Sequence, residues 1–380
     1  MLKLGRRGRI PPFIAMDVLR EANRLDASGA DILHLEVGQP GTGAPAKVLA
    51  AAERLLRAGP LGYTDALGIP ALRERIARHY AVSYGVTVDP SQVAVTIGAS
   101  GAFVLGFLAA FDPGDRVALA APGYPAYRHI LTALDIEPVT LPAMPADRFQ
   151  PSVRLLEQAG PLDGLIVASP SNPTGTMLGD AALAELAAYC RKSGIRLISD
   201  EIYHGITYGE PAVTALAHWP EAIVINSFSK YFSMTGWRLG WMIVPPDLIR
   251  AVECLAQHLV ISAPSLSQHA AIEAFDCIEE LDANVRRYAA NRAMLLDRLP
   301  HAGFEHFAPP DGAFYLYADV GTLTNDSLEF CRRMLHEAGV AATPGLDFDP
   351  ERGHRYVRFS FAGAPGTVAA AAERLVDWRR

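Results

Sequence analysis

Short apolar runs alternate with longer segments of helical spacing from about residue 90, and this alternation constrains the fold most. Buried strands are predicted at Val93–Ile97, Val117–Ala120, Leu165–Ala168, Leu197–Ser199 and Ile223–Ile225. A clear helical pattern, Ala181–Lys192, lies between two of them. Because strands that alternate with helices form parallel sheets with helices on both faces, the sequence predicts an α/β fold with a mostly parallel sheet.

The chain before and after this region has patterns of its own. A helix is predicted over residues 13–28 and a strand over Ile32–Val37. Helices predominate beyond residue 246, over Leu248–Val260 and Ser267–Leu299, the second of them long enough to bend or break. A smaller α+β unit then closes the chain, with elements predicted at Phe314–Ala318, Ser327–Ala338, Tyr356–Phe361 and in a last helix to Trp378.

Charge and composition limit the classes of function. The formal net charge is −7, so no overall basic field draws the chain to nucleic acid or to anionic lipid. The basic opening Lys3–Arg9 is not followed by the apolar core of a signal peptide, and no apolar run reaches membrane-spanning length. We expect a cytoplasmic protein of two domains, without nucleic-acid or membrane partners.

Cysteines and histidines indicate neither a disulfide framework nor a metal site. The four cysteines are widely separated without a CxxC pair, and the eleven histidines include no HExxH or similar ligand spacing. Buried free thiols are expected at Cys190, Cys254, Cys277 and Cys331.

The stretch Ser227–Gly240 places Lys230 between two predicted strands. Only four of the 34 basic residues are lysines, so a lysine at position 230 is unusual in a chain that uses arginine at almost every other basic position. A partly desolvated lysine has a lowered pKa and can form a Schiff base, which arginine cannot. A lysine that only extends from a loop into solvent is the alternative interpretation.

A glycine-containing turn, Gly98-Ala-Ser-Gly101, follows one strand and opens a helix. Free backbone N–H groups and the positive end of the helix dipole at such a turn can bind a phosphate. The turn is neither a Walker motif nor GxGxxG, and it can also be purely structural. A serine nucleophile at Ser100 is a further alternative, although the elbow motif GxSxG requires glycine where Ala102 stands.

Two polar residues follow predicted strands. Asp200 ends a strand at the edge where α/β sheets bind ligands, and Asn172 follows another strand in a loop with two prolines. Taken singly, they could be a helix cap and a structural turn. Together, Lys230 for an aldimine, Asp200 for a pyridinium nitrogen and a phosphate site formed by the turn, Ser227 and Arg238 indicate pyridoxal phosphate.

Here the chain resembles a known family. Ser227–Gly240 is similar to the lysine signature of class I/II aminotransferases, the fold type I pyridoxal-phosphate enzymes related to aspartate aminotransferase. The order and spacing of the glycine turn, Asn172–Gly175 and Asp200–Tyr203 agree as well, so the resemblance covers most of the chain. It implies a three-layer αβα large domain with a mostly parallel sheet, over residues 46–285. A smaller α+β domain would come from both chain ends, with an N-terminal arm and its first part in 1–45 and the rest in 286–380.

The resemblance also implies roles at the cofactor. Lys230 would hold pyridoxal phosphate as an internal aldimine and move the substrate α-proton. Asp200 would pair with the pyridinium nitrogen, Asn172 and Tyr203 would bond the phenolic oxygen, and Tyr124 would stack on the ring. The phosphate would bind the N–H groups of Ala99 and Ser100, the Ser227 hydroxyl and the Arg238 guanidinium.

The remaining implied roles concern the substrate and a second subunit. Arg358 is similar to the arginine that binds the substrate carboxylate, and Gly38 to a backbone contact near it. Tyr63 is similar to a tyrosine that reaches the phosphate of the neighbouring subunit, which implies a homodimer with shared active sites. The chain has no second arginine that can be assigned to a dicarboxylate side chain, and its run Gln39–Gly43 departs from the acidic and aromatic residues common in the family.

The resemblance implies an aminotransferase that exchanges an amino group between an L-amino acid and a 2-oxo acid through quinonoid and pyridoxamine phosphate forms. A carbon–sulfur β-lyase or a decarboxylase on the same fold is the closest alternative, because the motifs are shared. A non-catalytic pyridoxal-phosphate-binding regulator is a third, and it would need a basic DNA-binding module. The sequence does not identify the amino donor.

Overall fold

The computed structural model describes residues 2–379. Thirteen strands are present in the described chain: β1 Leu33–His34, β2 Val93–Thr96, β3 Arg116–Ala121, β4 Glu137–Pro142, β5 Gly164–Ala168, β6 Arg196–Asp200, β7 Ile223–Ser227, β8 Gly240–Ile243, β9 His306–Phe307, β10 Tyr315–Asp319, β11 Val340–Ala341, β12 Thr343–Pro344 and β13 Tyr356–Ser360. The α-helices of the described chain are α1 Ile14–Ala27, α2 Ala46–Ala58, α3 Pro70–Tyr84, α4 Gly98–Ala110, α5 Pro125–Ala133, α6 Val153–Ala159, α7 Asp180–Ser193, α8 Pro246–Leu259, α9 Ser265–Ala271, α10 Ile278–Arg298, α11 Ser327–Ala338 and α12 Pro365–Arg379.

A seven-stranded sheet in the order β2-β8-β7-β6-β5-β3-β4 forms the centre of the molecule. Its pairs β7–β6, β6–β5, β5–β3 and β3–β4 are parallel, while β8 runs antiparallel to both of its neighbours. The predicted α/β fold with a mostly parallel sheet is therefore confirmed. β2, β7 and β8 are buried along their whole length, with both faces covered. This burial explains their apolar runs Val93–Val95, Ile223–Ile225 and Trp241–Ile243.

Two hydrophobic clusters cover the two faces of this sheet. One contains Leu165, Leu197 and Val224, and the other contains Ile166, Ile198 and Ile225. Neighbouring residues of one strand thus enter opposite clusters, as the two-residue period of a strand requires. The sheet is held rigidly from both sides, so the loops at its carboxyl edge have fixed starting points.

Two smaller sheets bring the chain ends together. β1 pairs in parallel with β11, with Leu33 opposite Val340, and an antiparallel sheet has the order β12-β13-β10-β9. A separate cluster of buried residues, which includes Leu35, Phe314 and Leu375, packs these elements against α10 and α12. The loop after β1 is therefore anchored beside β13.

Several sequence predictions need correction. The strand expected over Ile32–Val37 is limited to the two residues of β1, and β4 was not predicted. The break or bend expected within Ser267–Leu299, by contrast, is confirmed: α9 ends at Ala271, a 3₁₀ turn follows over Ile272–Asp276, and α10 begins at Ile278. That turn buries Phe275, whose ring centroid lies 5.5 Å from that of Phe228. The break thus places an aromatic side chain in the core. No helix within residues 2–379 is long and apolar enough to cross a membrane.

Candidate active site

A cavity lies at the carboxyl edge of the central sheet, where β3, β5, β6 and β7 end. It is closed on the other side by α1, by the loop after β1 and by β10 and β13. The cavity brings together ten of the twelve residues that the sequence indicated: Gly38, Ala99, Ser100, Tyr124, Asn172, Asp200, Tyr203, Lys230, Arg238 and Arg358. Of the described residues that were predicted, Ser227 and Tyr63 do not line it.

The amine of Lys230 lies inside this cavity. Its Nζ donates a hydrogen bond to the Gly38 carbonyl at 2.6 Å. The pKa of Lys230 is lowered to about 8, mainly by burial and in part by the nearby charges of Arg358 and Arg238, while Asp200 opposes them. A substantial share of the amine is thus neutral near pH 8, and only a neutral amine can attack a carbonyl or accept a proton.

The Asp200 carboxylate is buried at the end of β6 and is only 4% exposed. It accepts hydrogen bonds from the Tyr127 hydroxyl and from the Ile202 N–H at 3.0 Å. Burial raises its pKa to about 6. No cationic side chain in the described chain forms an ion pair with it, so a positively charged ligand group at this edge would be stabilised.

An anion site is formed where β2 turns into α4. Gly98 has a φ of +63°, and a Cβ there would lie 2.7 Å from Arg238 Nη2, so a side chain would be strained and would also displace the guanidinium. Ala99 and Ser100 form the first turn of α4, whose free N–H groups carry the positive end of the helix dipole. The guanidinium and the helix end together favour a phosphate at this position.

The two serines before Lys230 differ in their placement. Ser227 is 1% exposed, and its hydroxyl lies 2.9 Å from Ser229 Oγ and 3.0 Å from the Leu239 carbonyl. Ser229 lines the cavity, and its N–H donates to Ser227 Oγ at 3.0 Å. The structure thus presents Ser229 to a ligand, with Ser227 behind it, and the phosphate role of Ser227 stays a prediction.

Arg358 lies on β13, is 2% exposed, and has its guanidinium held on several sides. Nη1 donates to Asn172 Oδ1 at 2.7 Å, and Nη2 donates to the Glu36 carbonyl. The guanidinium carbon lies 4.4 Å from the ring centroid of Tyr315 and 4.7 Å from that of Phe348. Such a stacked guanidinium is fixed in orientation, which is what bidentate recognition of a carboxylate needs.

Sequence reasoning missed several residues of the cavity. Tyr127 bonds Asp200, Tyr315 lies between Tyr203 and Arg358, and Phe13 and Met16 close the side at α1. Tyr127 stands three residues after Tyr124, and helical spacing could have placed both on one face. Nothing in the local sequence distinguishes Tyr315 from an ordinary core residue of its strand.

The donor set of this cavity fits pyridoxal phosphate. Three groups face one space: the desolvated Lys230 amine, the buried Asp200 carboxylate and the anion site at Gly98. They suit, in that order, the aldehyde, the pyridine nitrogen and the phosphate of that cofactor. Ser100 has no histidine hydrogen-bonded to it in the described chain, so the geometry of a serine hydrolase is not assembled there.

This fold and this site together define the class I/II aminotransferases. The family described as "Aminotransferase class I and II" matches residues 30–375, and the chain belongs to it. The resemblance inferred from the motifs is therefore confirmed.

Similar proteins agree with this assignment. The chain is 49% identical over 382 residues to a valine–pyruvate aminotransferase of Mycobacterium tuberculosis, with 99% of this chain and 98% of the relative covered. A crystal structure of an aminotransferase from Mycobacterium tuberculosis superposes with a TM-score of 0.97 at 49% identity, covering 100% of this chain and 99% of that one. The aspartate aminotransferase of Thermus thermophilus with maleate gives a TM-score of 0.94 at 32% identity, with both chains covered completely.

The protein is accordingly an aminotransferase, as the sequence predicted. Its relatives are transaminases, and this does not favour the alternative of a β-lyase or a decarboxylase. Enzymes of this class generally depend on pyridoxal phosphate, and their substrates are amino acids and 2-oxo acids.

Proposed function

We propose that this aminotransferase binds pyridoxal 5′-phosphate in the cavity described above and transfers the amino group of a neutral aliphatic amino acid to a 2-oxo acid. The bound cofactor supplies an electrophilic carbon for the substrate amine and a ring that accepts electrons from the substrate α-carbon. The observation that carries the proposal is the desolvated Lys230 amine in one space with the buried Asp200 carboxylate and the Arg238 anion site.

Lys230 has two tasks in this proposal. Its amine would hold the cofactor, and once free it would take the proton from the substrate α-carbon and deliver it to the cofactor's former aldehyde carbon, the 1,3-proton transfer that transamination requires. The lowered pKa, about 8, suits both tasks because far more of the free amine is unprotonated near neutral pH than in an ordinary lysine. The Gly38 carbonyl, 2.6 Å from Nζ, keeps the amine at the centre of the cavity.

The other groups orient the ligands. Asp200 stabilises a protonated pyridine nitrogen, and Tyr127 holds the Asp200 carboxylate in position. Tyr203 and Asn172 donate to the phenolic oxygen, and Tyr124 covers a ring face. The phosphate is held by the N–H groups of Ala99 and Ser100, by the Arg238 guanidinium and by a hydroxyl, for which we add Ser229 to Ser227.

The preference for a neutral substrate side chain follows from the charges that line the cavity. Lys230, Asp200 and Arg238 are assigned to the cofactor, and Arg358 is assigned to the substrate α-carboxylate. The side of the cavity formed at the start of α1 presents apolar groups, Phe13, Ala15 and Met16. A substrate carboxylate directed at this side would lose its hydration without gaining a cationic partner. A relative at 49% identity is a valine–pyruvate aminotransferase, which supports the same preference.

Single amino acids added to the cofactor-loaded protein without an oxo acid provide the test. We expect valine and alanine to release one equivalent of the corresponding 2-oxo acid per site, and aspartate to react at least about a hundredfold more slowly, since an unpaired charge in an apolar site costs several kcal/mol. Comparable rates for aspartate and valine would contradict the neutral side-chain preference. Ammonia released over many turnovers would instead favour the lyase alternative.

We also propose a homodimer with shared active sites. Tyr63 is 83% exposed and lies outside the cavity of its own chain, so a role at the phosphate requires a second copy. The segment around it is linked to the connection between α8 and α9 by a hydrogen bond from the Thr64 N–H to Ser262 Oγ at 3.4 Å. Leu259 and Ile261 are 56% and 49% exposed there, which gives this face an apolar character typical of an interface.

The dimer has its own test. A mass in solution of about twice 40.9 kDa is expected by light scattering. Tyr63→Phe should raise the Kd of the cofactor about ten- to a hundredfold, because one charge-assisted hydrogen bond to the phosphate is lost. Val82→Ala, which truncates another exposed apolar side chain, serves as the control. A monomer at micromolar concentration would contradict the proposal.

The domain division stays part of the proposal. We assign residues 46–285 to a large cofactor-binding domain and residues 1–45 and 286–380 to a smaller one, supported by the pairing of β1 with β11 and by the separate cluster of core residues around Phe314. The cytoplasmic location stays a prediction from the sequence.

A further inference from the structure

Tyr315 lies where the groups proposed for the cofactor and for the substrate meet. The residue is on β10, is 1% exposed, and lines the cavity. Its hydroxyl oxygen is 2.6 Å from the hydroxyl oxygen of Tyr203, and its ring centroid is 4.4 Å from the guanidinium carbon of Arg358. Tyr315 therefore contacts both the Tyr203 hydroxyl and the Arg358 guanidinium.

Packing fixes the position of this hydroxyl. A Cβ added to Gly38 would lie 1.6 Å from Tyr315 Oη, so the loop after β1 approaches the hydroxyl closely only because residue 38 is glycine. The rings of Tyr203 and Phe314 pack edge-on against the Tyr315 ring, at centroid distances of 5.7 and 5.1 Å. The Tyr315 hydroxyl consequently has little freedom to leave Tyr203.

The direction of the hydrogen bond follows from the number of protons. Each hydroxyl has one proton, and geometry alone permits either tyrosine to be the donor. In the proposed site the Tyr203 hydroxyl donates its hydrogen bond to the phenolic oxygen of the cofactor. The oxygen of Tyr203 can then only accept from Tyr315, and accepting a hydrogen bond polarises its own O–H and makes it a stronger donor.

We propose that Tyr315 is a positioning residue, which orients the Tyr203 hydroxyl and strengthens its hydrogen bond to the cofactor's phenolic oxygen. The proposal rests on the role proposed for Tyr203. The same ring, stacked on Arg358, restricts the guanidinium that is assigned to the substrate carboxylate. Tyr315 thus has two separable contributions, one from its hydroxyl and one from its ring.

Tyr315→Phe tests the hydroxyl by a readout other than activity, the pH titration of the visible absorption of the cofactor-loaded protein. With a weaker donor at Tyr203, negative charge on the phenolic oxygen is less stabilised, so the bound chromophore retains its proton to higher pH. We expect its apparent pKa to rise by about half to one unit, which corresponds to one ordinary hydrogen bond. Tyr203→Phe should raise it at least as much, and the double variant no further, because both changes act through one contact.

Tyr317 provides a matched control on the same strand. It is also 1% exposed, and its hydroxyl has no hydrogen-bond partner in the described chain, so Tyr317→Phe should leave the titration unchanged. Tyr315→Leu removes the ring as well and should raise the KM for valine about tenfold, whereas Tyr315→Phe should affect KM little.

Two outcomes would overturn the inference. The first is an apparent pKa of the chromophore that equals the wild-type value in Tyr315→Phe but is raised in Tyr203→Phe. This result would show that the hydroxyl of Tyr315 does not act through Tyr203. Unshifted titrations in both variants would remove the role of Tyr203 on which the inference rests. Both results are distinguishable from a failure of the proposed function, because that would appear in the wild-type protein as absent transamination of valine.

Discussion

Lys230→Ala is expected to lower kcat for transamination by more than about a thousandfold, since a positioned general base alone contributes about 10²- to 10⁴-fold and the covalent attachment of the cofactor is lost as well. The cavity would keep its phosphate and pyridine contacts, so the variant should still bind the cofactor. Its visible absorption should resemble that of the free cofactor. The Lys230 side chain is partly buried and, within residues 2–379, hydrogen-bonds only the Gly38 carbonyl, so the thermal midpoint should change little.

The scarcity of lysine in this chain makes the control simple. Lys192 is exposed on α7, so Lys192→Ala should be indistinguishable from the wild type in rate and spectrum. Lys230→Arg keeps a positive charge but cannot attach the cofactor, and it should be as inactive as the alanine variant. Borohydride reduction of the wild type should fix the cofactor to a single peptide, the one that contains Lys230. Normal turnover in Lys230→Ala, or labelling of Lys3, Lys47 or Lys192 instead, would refute the mechanism.

The central sheet was predictable because most of its strands are buried on both faces. β2 and β7 are buried along their whole length, and each contains an apolar run, Val93–Val95 and Ile223–Ile225. β4, Glu137–Pro142, was missed because it lies at the sheet edge, with one neighbour, two prolines and mixed exposure. The predicted strand over Ile32–Val37 was too long. The Leu35 N–H still bonds the Ala341 carbonyl, but the Leu35 carbonyl accepts from the Ser360 N–H, and the chain then turns to the cavity.

Most parts of the site that could be inferred belong to a short segment at a strand end, where local sequence and position together indicate chemistry. Asp200, Lys230 and the turn at Gly98 are of this kind. Tyr315 is different, because its contact with Tyr203 joins residues 112 positions apart and its strand looks like ordinary core. Phe13 reaches the cavity only because α1 packs back across the molecule. Tertiary packing decides such contacts, and no local pattern encodes them.

Arg358→Lys is expected to raise the KM for amino-acid and oxo-acid substrates about ten- to a hundredfold, the cost of replacing two charge-assisted hydrogen bonds by one, while the Kd of the cofactor stays within about twofold. A lysine ammonium cannot stack between Tyr315 and Phe348 as the guanidinium does, at 4.4 and 4.7 Å from their centroids. It also cannot keep the bond to Asn172 and at the same time present a fork to the substrate. The carboxylate would then rotate more freely, and kcat should fall as well, because the α-proton must face Lys230.

Arg355→Lys is the matched control for this prediction. Arg355 directly precedes β13, but its side chain is 49% exposed and pairs with Asp319 at the surface, 2.7 Å from Nη2 to Oδ2. Surface ion pairs of this kind contribute little, so its KM and kcat should match those of the wild type. Steady-state kinetics with valine, combined with a cofactor titration, separates the two substrate effects from a loss of cofactor. An unchanged KM in Arg358→Lys would mean that the substrate α-carboxylate binds elsewhere. Arg358 would then be free to pair with a side-chain carboxylate, and the charges in the cavity would have to be assigned again.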